Sequence, residues 1–179
     1  MSRSIRKLAL LAVGVALFVV LSLCLQVPVF ENYYLCLGYL VMAVYCWSFG
    51  PLAGSVVGFF GVILYCLVIS GLRGMPGWAL GNIPIGVALG LCFRAVRGMK
   101  SRAAGLLLCV PVIAASCALG ILGLKSLTES LLYLQPFAVR AVKNSSAFVA
   151  DAAVLILSLP LCVRLDGPAR RLFPQLCEK

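Results

Sequence analysis

Between Asn32 and Leu72 the chain runs for 41 residues without one Asp, Glu, Lys or Arg. A single bilayer crossing by a helix needs roughly 20 apolar residues, so the run holds about two crossings. Near its middle stands Phe49-Gly50-Pro51-Leu52-Ala53-Gly54. Proline opens a helix well and biases the residue before it away from helix, so the Gly-Pro step predicts a tight turn between two membrane helices. The rest of the composition agrees: 63% of residues are hydrophobic and 11% charged, against about 25% charged in a water-soluble domain. The expected class is all-α, a polytopic integral membrane protein built as a six-transmembrane-helix bundle.

Charged residues punctuate the remainder. The expected helices cover 8–25, 35–49, 51–70, 78–93, 103–124 and 138–163, with a polar tail over 164–179. The second is short for a full crossing, and 125–137 reads as a mixed, partly amphipathic connection. At 179 residues, spans of this length fill a single membrane domain and leave no room for a soluble catalytic one. The first helix starts from a basic segment like a signal peptide, but no small-x-small cleavage pattern follows it, so a retained span is expected.

Six spans put both termini on one side. Arg3, Arg6, Lys7, Arg94, Arg97, Lys100, Arg102, Arg164, Arg170, Arg171 and Lys179 then lie together, opposite Arg73, Lys125, Arg140 and Lys143. The excess of basic residues marks the cytoplasmic face of a cell membrane, so both ends are expected inside. The formal charge of +10 is thereby spent on orientation and membrane lipid, and no nucleic-acid partner is expected.

Apolar burial does not drive helix association in lipid; close approach through small residues does much of that work. Gly50, Gly54, Gly58 and Gly61 share one face of the third helix, and Gly86 and Gly90 one face of the fourth. These read as bundle contacts. Ala12 and Ala16 lie one turn apart on the first helix, where they serve either the same end or the docking of another protein.

Polar groups within apolar helices are costly and are functional candidates by default. On the sixth helix Arg140, Asn144, Ala147 and Asp151 follow at intervals of four, three and four, which places them on one face with Lys143 on its shoulder. Asp151 lies roughly 16 Å along the axis from Arg140, too far to pair with it. Trp78 and Asn82 stand one turn apart on the fourth helix, and Tyr33, Tyr34 and Arg73 lie in the connections on the same side. This outward-facing set of aromatics, amides and cations suits a small polar ring compound. Four basic residues on that side imply an acidic group on the ligand. Each position also has a structural reading, as an interface anchor for Trp78 or an interhelical hydrogen bond for Asp151.

The sequence contains no histidine, P-loop, metal-ligand cluster or paired catalytic carboxylates, so neither an enzymatic activity nor a cofactor is expected. Nine cysteines, at 24, 36, 46, 66, 92, 109, 117, 162 and 177, contain no C-x-x-C pair and read as small buried hydrophobes. Two rival classes remain. A membrane thiol oxidoreductase needs paired, accessible thiols. A stand-alone secondary carrier or channel usually shows internal repeats and more intramembrane charge.

Taken in order, Ala12 and Ala16, the Phe49–Gly54 run with Gly58 after it, Gly81-Asn82 followed by Gly86, Gly90 and Arg94, and Pro136-Phe137 leading to Lys143 resemble the S components of energy-coupling factor (ECF) transporters. The resemblance spans about residues 8–164. It implies a high-affinity, vitamin-binding membrane subunit of an ABC importer, working with a membrane coupling protein (T component) and two cytoplasmic ATPases. It implies a pocket at the outer face, with Asn82, Lys143 and Asn144 where relatives contact substrate, and docking of the coupling protein on Ala12 and Ala16. Delivery inward by toppling of the subunit also follows from the resemblance. The residues leave thiamine, biotin and riboflavin equally open.

Overall fold

The computed structural model describes residues 3–24, 28–30, 33–69, 75–99 and 101–177. Its order is α1 (Arg3–Cys24), a short antiparallel hairpin of β1 (Pro28–Phe30) and β2 (Tyr33–Tyr34), α2 (Gly38–Phe49), α3 (Pro51–Ile69), α4 (Met75–Arg97), α5 (Arg102–Cys117), a π-helical segment (Ala118–Lys125), α6 (Ser126–Tyr133) and α7 (Phe137–Leu172). Five helical stretches are long and apolar enough to cross a membrane, and α2 is a shorter apolar helix. The protein is a multi-pass membrane helix bundle.

The centre of the bundle is α2. Tyr39, Met42, Ala43, Cys46 and Ser48 are almost wholly enclosed, and Val41, Tyr45 and Trp47 nearly so. A helix apolar all round belongs in a core, and twelve residues suffice because α1, α3, α4 and α7 surround it. It ends as the sequence predicts. Gly50 takes φ 92°, ψ 178°, and α3 starts at Pro51. That backbone geometry is open essentially to glycine alone, so Gly50→Ala is expected to cost about 1–3 kcal/mol. A drop of several degrees in the melting temperature of the detergent-solubilised protein checks it; an unchanged melt refutes the strain.

The glycine faces hold the bundle together. A Cβ on Gly58 would meet Met42 and Asn82, and one on Gly61 would meet Phe18. Gly86 abuts the Ser55 backbone and Gly90 abuts Pro51, so α3 and α4 touch along their length. Another backbone-to-backbone crossing joins α4 to the π segment. Gly81 and Gly120 face each other such that a Cβ on either would stand 2.5 Å from the other's carbonyl oxygen.

The largest departure from expectation concerns 125–137. No connection begins at Lys125: the helix continues through the π segment into α6, making one apolar stretch from Arg102 to Tyr133. The turn to the last helix comes only at Leu134, which adopts a left-handed conformation (φ 52°), followed by Gln135 and Pro136. Two other boundaries shift. The fourth helix starts at Met75 rather than 78 and ends at Arg97, and the last continues to Leu172, so most of the expected tail is helical.

The π segment has a structural consequence. Cys117, Ile121, Lys125 and Glu129 recur every four residues and are all buried. An ideal α-helix of 3.6 residues per turn would carry such a series around its axis. The wider π turn absorbs the excess, so the four stay on one inward face.

Candidate functional site

Two polar clusters meet where α4 begins and where α6 packs on α7. The first centres on Tyr39 of α2. Trp78 Nε1 donates to the Tyr39 hydroxyl at 2.8 Å, and that hydroxyl donates to Asn82 Oδ1 at 2.7 Å. Asn82 Nδ2 in turn donates to the Gly58 carbonyl at 3.0 Å. Asp151 of α7 lies within electrostatic reach of the Tyr39 hydroxyl. The ring of Tyr65 stands edge-on to Trp78, with centroids 5.7 Å apart. Tyr39, Asn82 and Asp151 are all buried.

The second cluster centres on Glu129. Asn144 Nδ2 donates to Glu129 Oε2 and to Ser126 Oγ, both at 3.0 Å. Arg140 NH1 pairs with the same Glu129 oxygen at 3.9 Å, and its guanidinium lies over the Tyr133 ring, 4.5 Å from the centroid. Arg140 Nε is buried with no hydrogen-bond partner among the described atoms. Lys125 joins the two groups. It is buried, with its Nζ over the Trp78 ring at 5.9 Å and within electrostatic reach of Glu129 and Asp151. A side chain on Gly77 would collide with the Lys125 carbonyl and press on Glu129, so the glycine lets α4 and α6 close over this site.

The structure thus brings together Trp78, Asn82, Arg140, Asn144 and Asp151. Lys143 stands apart, exposed on the adjacent face of α7. Arg73 lies outside the described residues, and only the backbone of Tyr33 and Tyr34 is described. Sequence reasoning missed Tyr39, Lys125, Ser126 and Glu129. Tyr39 is one aromatic in an apolar helix and carries no positional signal. The other three fall in the expected connection, although the four-residue spacing from Cys117 could have found Lys125 and Glu129.

Charge on this side also differs from expectation. Two of the four cations taken as a net positive field, Lys125 and Arg140, face the carboxylates Glu129 and Asp151. Half of the charge behind the expected acidic ligand is therefore met within the protein.

On α1, Ala9, Ala12 and Ala16 are exposed and occupy the centre of the face turned away from the bundle. Gly14 and Phe18 point the other way, against Tyr45 and Val57 for the glycine and against Gly38 and Gly61 for the phenylalanine. Cysteines bear on the thiol-enzyme alternative. Cys92 Sγ lies 3.7 Å from Cys109 Sγ across α4 and α5, but Cys109 is wholly enclosed. Such a pair lacks the electropositive, accessible surroundings of reactive thiols.

The sequence model of a family described as "ECF-type riboflavin transporter, S component" matches residues 2–166. Among curated proteins, a UPF0397 protein of Lactococcus lactis subsp. cremoris is 35% identical over 92 residues, covering 50% of this chain and 49% of its own length. A UPF0397 protein of Streptococcus thermophilus is 31% identical over 90 residues, again 50% and 49%. The chain spans about half the length of the curated relatives it matches.

Proposed function

This chain belongs to the ECF-type riboflavin transporter S component family, and we propose on that premise that it captures a vitamin at the outer face of the cell membrane for an ECF-type ABC importer. The observation that carries the reading is the match over residues 2–166 together with the buried polar lining that joins α2, α4, α6 and α7. Both termini lie in the cytoplasm, which is the side the eleven grouped basic residues favour. The lining around Trp78, Asn82, Arg140, Asn144 and Asp151 is then outward-facing, with Tyr39, Lys125 and Glu129 as its further members.

Riboflavin is the substrate best supported. It is a neutral, flat ring system bearing a polyol, and the lining offers aromatic edges, amides and balanced charges in place of a cationic trap. These groups satisfy one another in the structure, so binding exchanges protein–protein hydrogen bonds for protein–ligand ones. Arg140 Nε, buried and unpartnered, is a donor already in place. ATP hydrolysis falls to two cytoplasmic partner subunits, and a membrane coupling protein transmits it so that the subunit topples and releases its cargo inward.

Titration of riboflavin with the detergent-solubilised protein tests the substrate, because stoichiometric binding quenches the vitamin's own fluorescence. Mass spectrometry of what co-purifies tests the class. Retention of another vitamin with no flavin quenching overturns riboflavin alone, whereas failure to retain or bind any vitamin overturns the transport reading. Lys143→Gln is expected to change the affinity less than about twofold, since a lone exposed charge contributes little. A larger loss in the same titration would return Lys143 to the site.

A further inference from the structure

At the opposite end of α4, roughly 28 Å along the axis from Trp78, the bundle holds a partly open cavity with both polar and apolar walls. It measures about 300 Å³ and is lined by Trp47 of α2, Arg97 of α4, Arg102 at the first turn of α5, and Arg164 and Asp166 of α7, with Val96, Met99, Leu106 and Val163 as its apolar wall. Trp47 is 6% exposed, and its Nε1 is buried with no hydrogen-bond partner among the described atoms. A buried, unmet donor costs about 1–3 kcal/mol and calls for an occupant that can accept from it.

The electrostatics specify that occupant. Asp166 is the one acid among the described lining residues, and its charge is already shared. Arg170 Nε donates to Oδ2 at 2.9 Å, and Arg97 NH2 lies 3.7 Å from Oδ1. The Arg97 guanidinium also lies over the Trp47 ring, 5.7 Å from the centroid, so cation and indole line the same cavity. Arg102 and Arg164 add two further guanidinium groups, and the amino end of α5 contributes the positive pole of a helix. Guanidinium forks match phosphate oxygens in pairs, where a carboxylate-sized patch of this charge would not need so many. The apolar wall would take the carbon atoms attached to such a phosphate.

We propose that this cavity binds a phosphate group at the membrane surface, carried either by an anionic phospholipid or by a soluble phosphate. It lies away from the vitamin lining and would serve whichever vitamin is carried. A lipid phosphate held between α2, α4, α5 and α7 would tie those helices together at the end where α1 is free to meet a partner.

Only two tryptophans occur in the chain, so Trp78→Phe leaves Trp47 as the sole reporter. The variant, delipidated in a neutral detergent at constant ionic strength, is titrated with phosphatidylglycerol, with diacylglycerol of the same acyl chains, and with inorganic phosphate. A saturable change in Trp47 emission with phosphatidylglycerol but not diacylglycerol is expected, weakened roughly tenfold or more by the Arg102→Gln/Arg164→Gln double substitution. Saturation by inorganic phosphate as well assigns the site to soluble phosphate; saturation by the phospholipid alone assigns it to lipid. No change with either phosphate carrier, equal response to diacylglycerol, or an undiminished response of the double variant overturns the proposal. Should Trp78→Phe not survive purification, native mass spectrometry of phosphatidylglycerol adducts on the wild-type and Arg102→Gln/Arg164→Gln proteins decides the same question: fewer retained lipids on the double variant support the site, and equal numbers overturn it.

Discussion

Glu129→Leu is expected to lower the melting temperature of the purified protein by roughly 10 °C and to weaken vitamin binding more than about a hundredfold. The wild-type carboxylate accepts from Asn144 at 3.0 Å, pairs with Arg140 at 3.9 Å, and lies within electrostatic reach of Lys125. Leucine fills similar space but strips the half-buried Arg140 of this ion pair and leaves the buried Lys125 with Asp151 as its other acid within reach. Removing one partner of a buried ion pair typically costs 3–5 kcal/mol, because the surviving charge stays desolvated. In a protein of this size each kcal/mol moves the melt by about 2–4 °C. Arg140 retains partial exposure, so the lower part of that range applies.

Glu129→Gln separates the two contributions. The amide oxygen still accepts from Asn144, so the join between α6 and α7 survives while the negative charge is lost. Its melt should fall by less than half as much as that of the leucine variant, while affinity drops with the upset in charge balance. A leucine variant that melts and binds like the wild type would show that Glu129 holds nothing together. A glutamine variant as damaged as leucine would show that charge alone matters and that the Asn144 bond is incidental.

Glu129 also shows where the sequence was legible and where it was not. The Gly50–Pro51 turn was readable because its cause is local: a helix must stop at a residue confined to φ near 92° and restart at a proline. The glycine faces were readable because close packing in lipid demands small residues at helical spacing, whichever helix turns out to be the neighbour. Ala12 and Ala16 stood out for the same reason, and the structure leaves both exposed.

Reading charges as span ends failed at Lys125. Such a reading assumes that a charged residue seeks water, whereas Lys125 is buried over Trp78 beside two carboxylates supplied by α6 and α7. Its neutralisation is a tertiary fact, invisible one residue at a time. The same blindness fed the expectation of an acidic ligand, because Glu129, which faces Arg140 and Lys125, was counted as part of a loop. Tyr39 marks a different limit. Nothing in its neighbours distinguishes it from Tyr45, yet one hydroxyl meets Trp78 and Asn82, and the other meets a backbone carbonyl of α1.

Ala12→Phe/Ala16→Phe is expected to abolish vitamin uptake while leaving vitamin binding intact. Both alanines lie on the face of α1 turned away from the bundle, flanked by Val13 at 55% and Val20 at 50% exposure. Small residues one turn apart let a second helix approach backbone to backbone, and in lipid that approach is itself the source of affinity. Two phenyl rings hold the partner off by several ångströms and forfeit the contacts, since dispersion falls away steeply with separation. Phenylalanine is as acceptable to hydrocarbon as alanine, so insertion and folding of the bundle should not change. The buried side of α1, with Gly14 against Tyr45 and Phe18 against Gly61, is untouched. Uptake by proteoliposomes holding the complete importer should therefore fall to background, with riboflavin titration of the isolated subunit unchanged within about twofold, and with Leu107→Phe on exposed α5 transporting normally as the control for bulk in the lipid-facing surface. Uptake that survives the double substitution would move the docking face elsewhere. Loss of binding together with uptake would mean that α1 supports the vitamin site through the bundle.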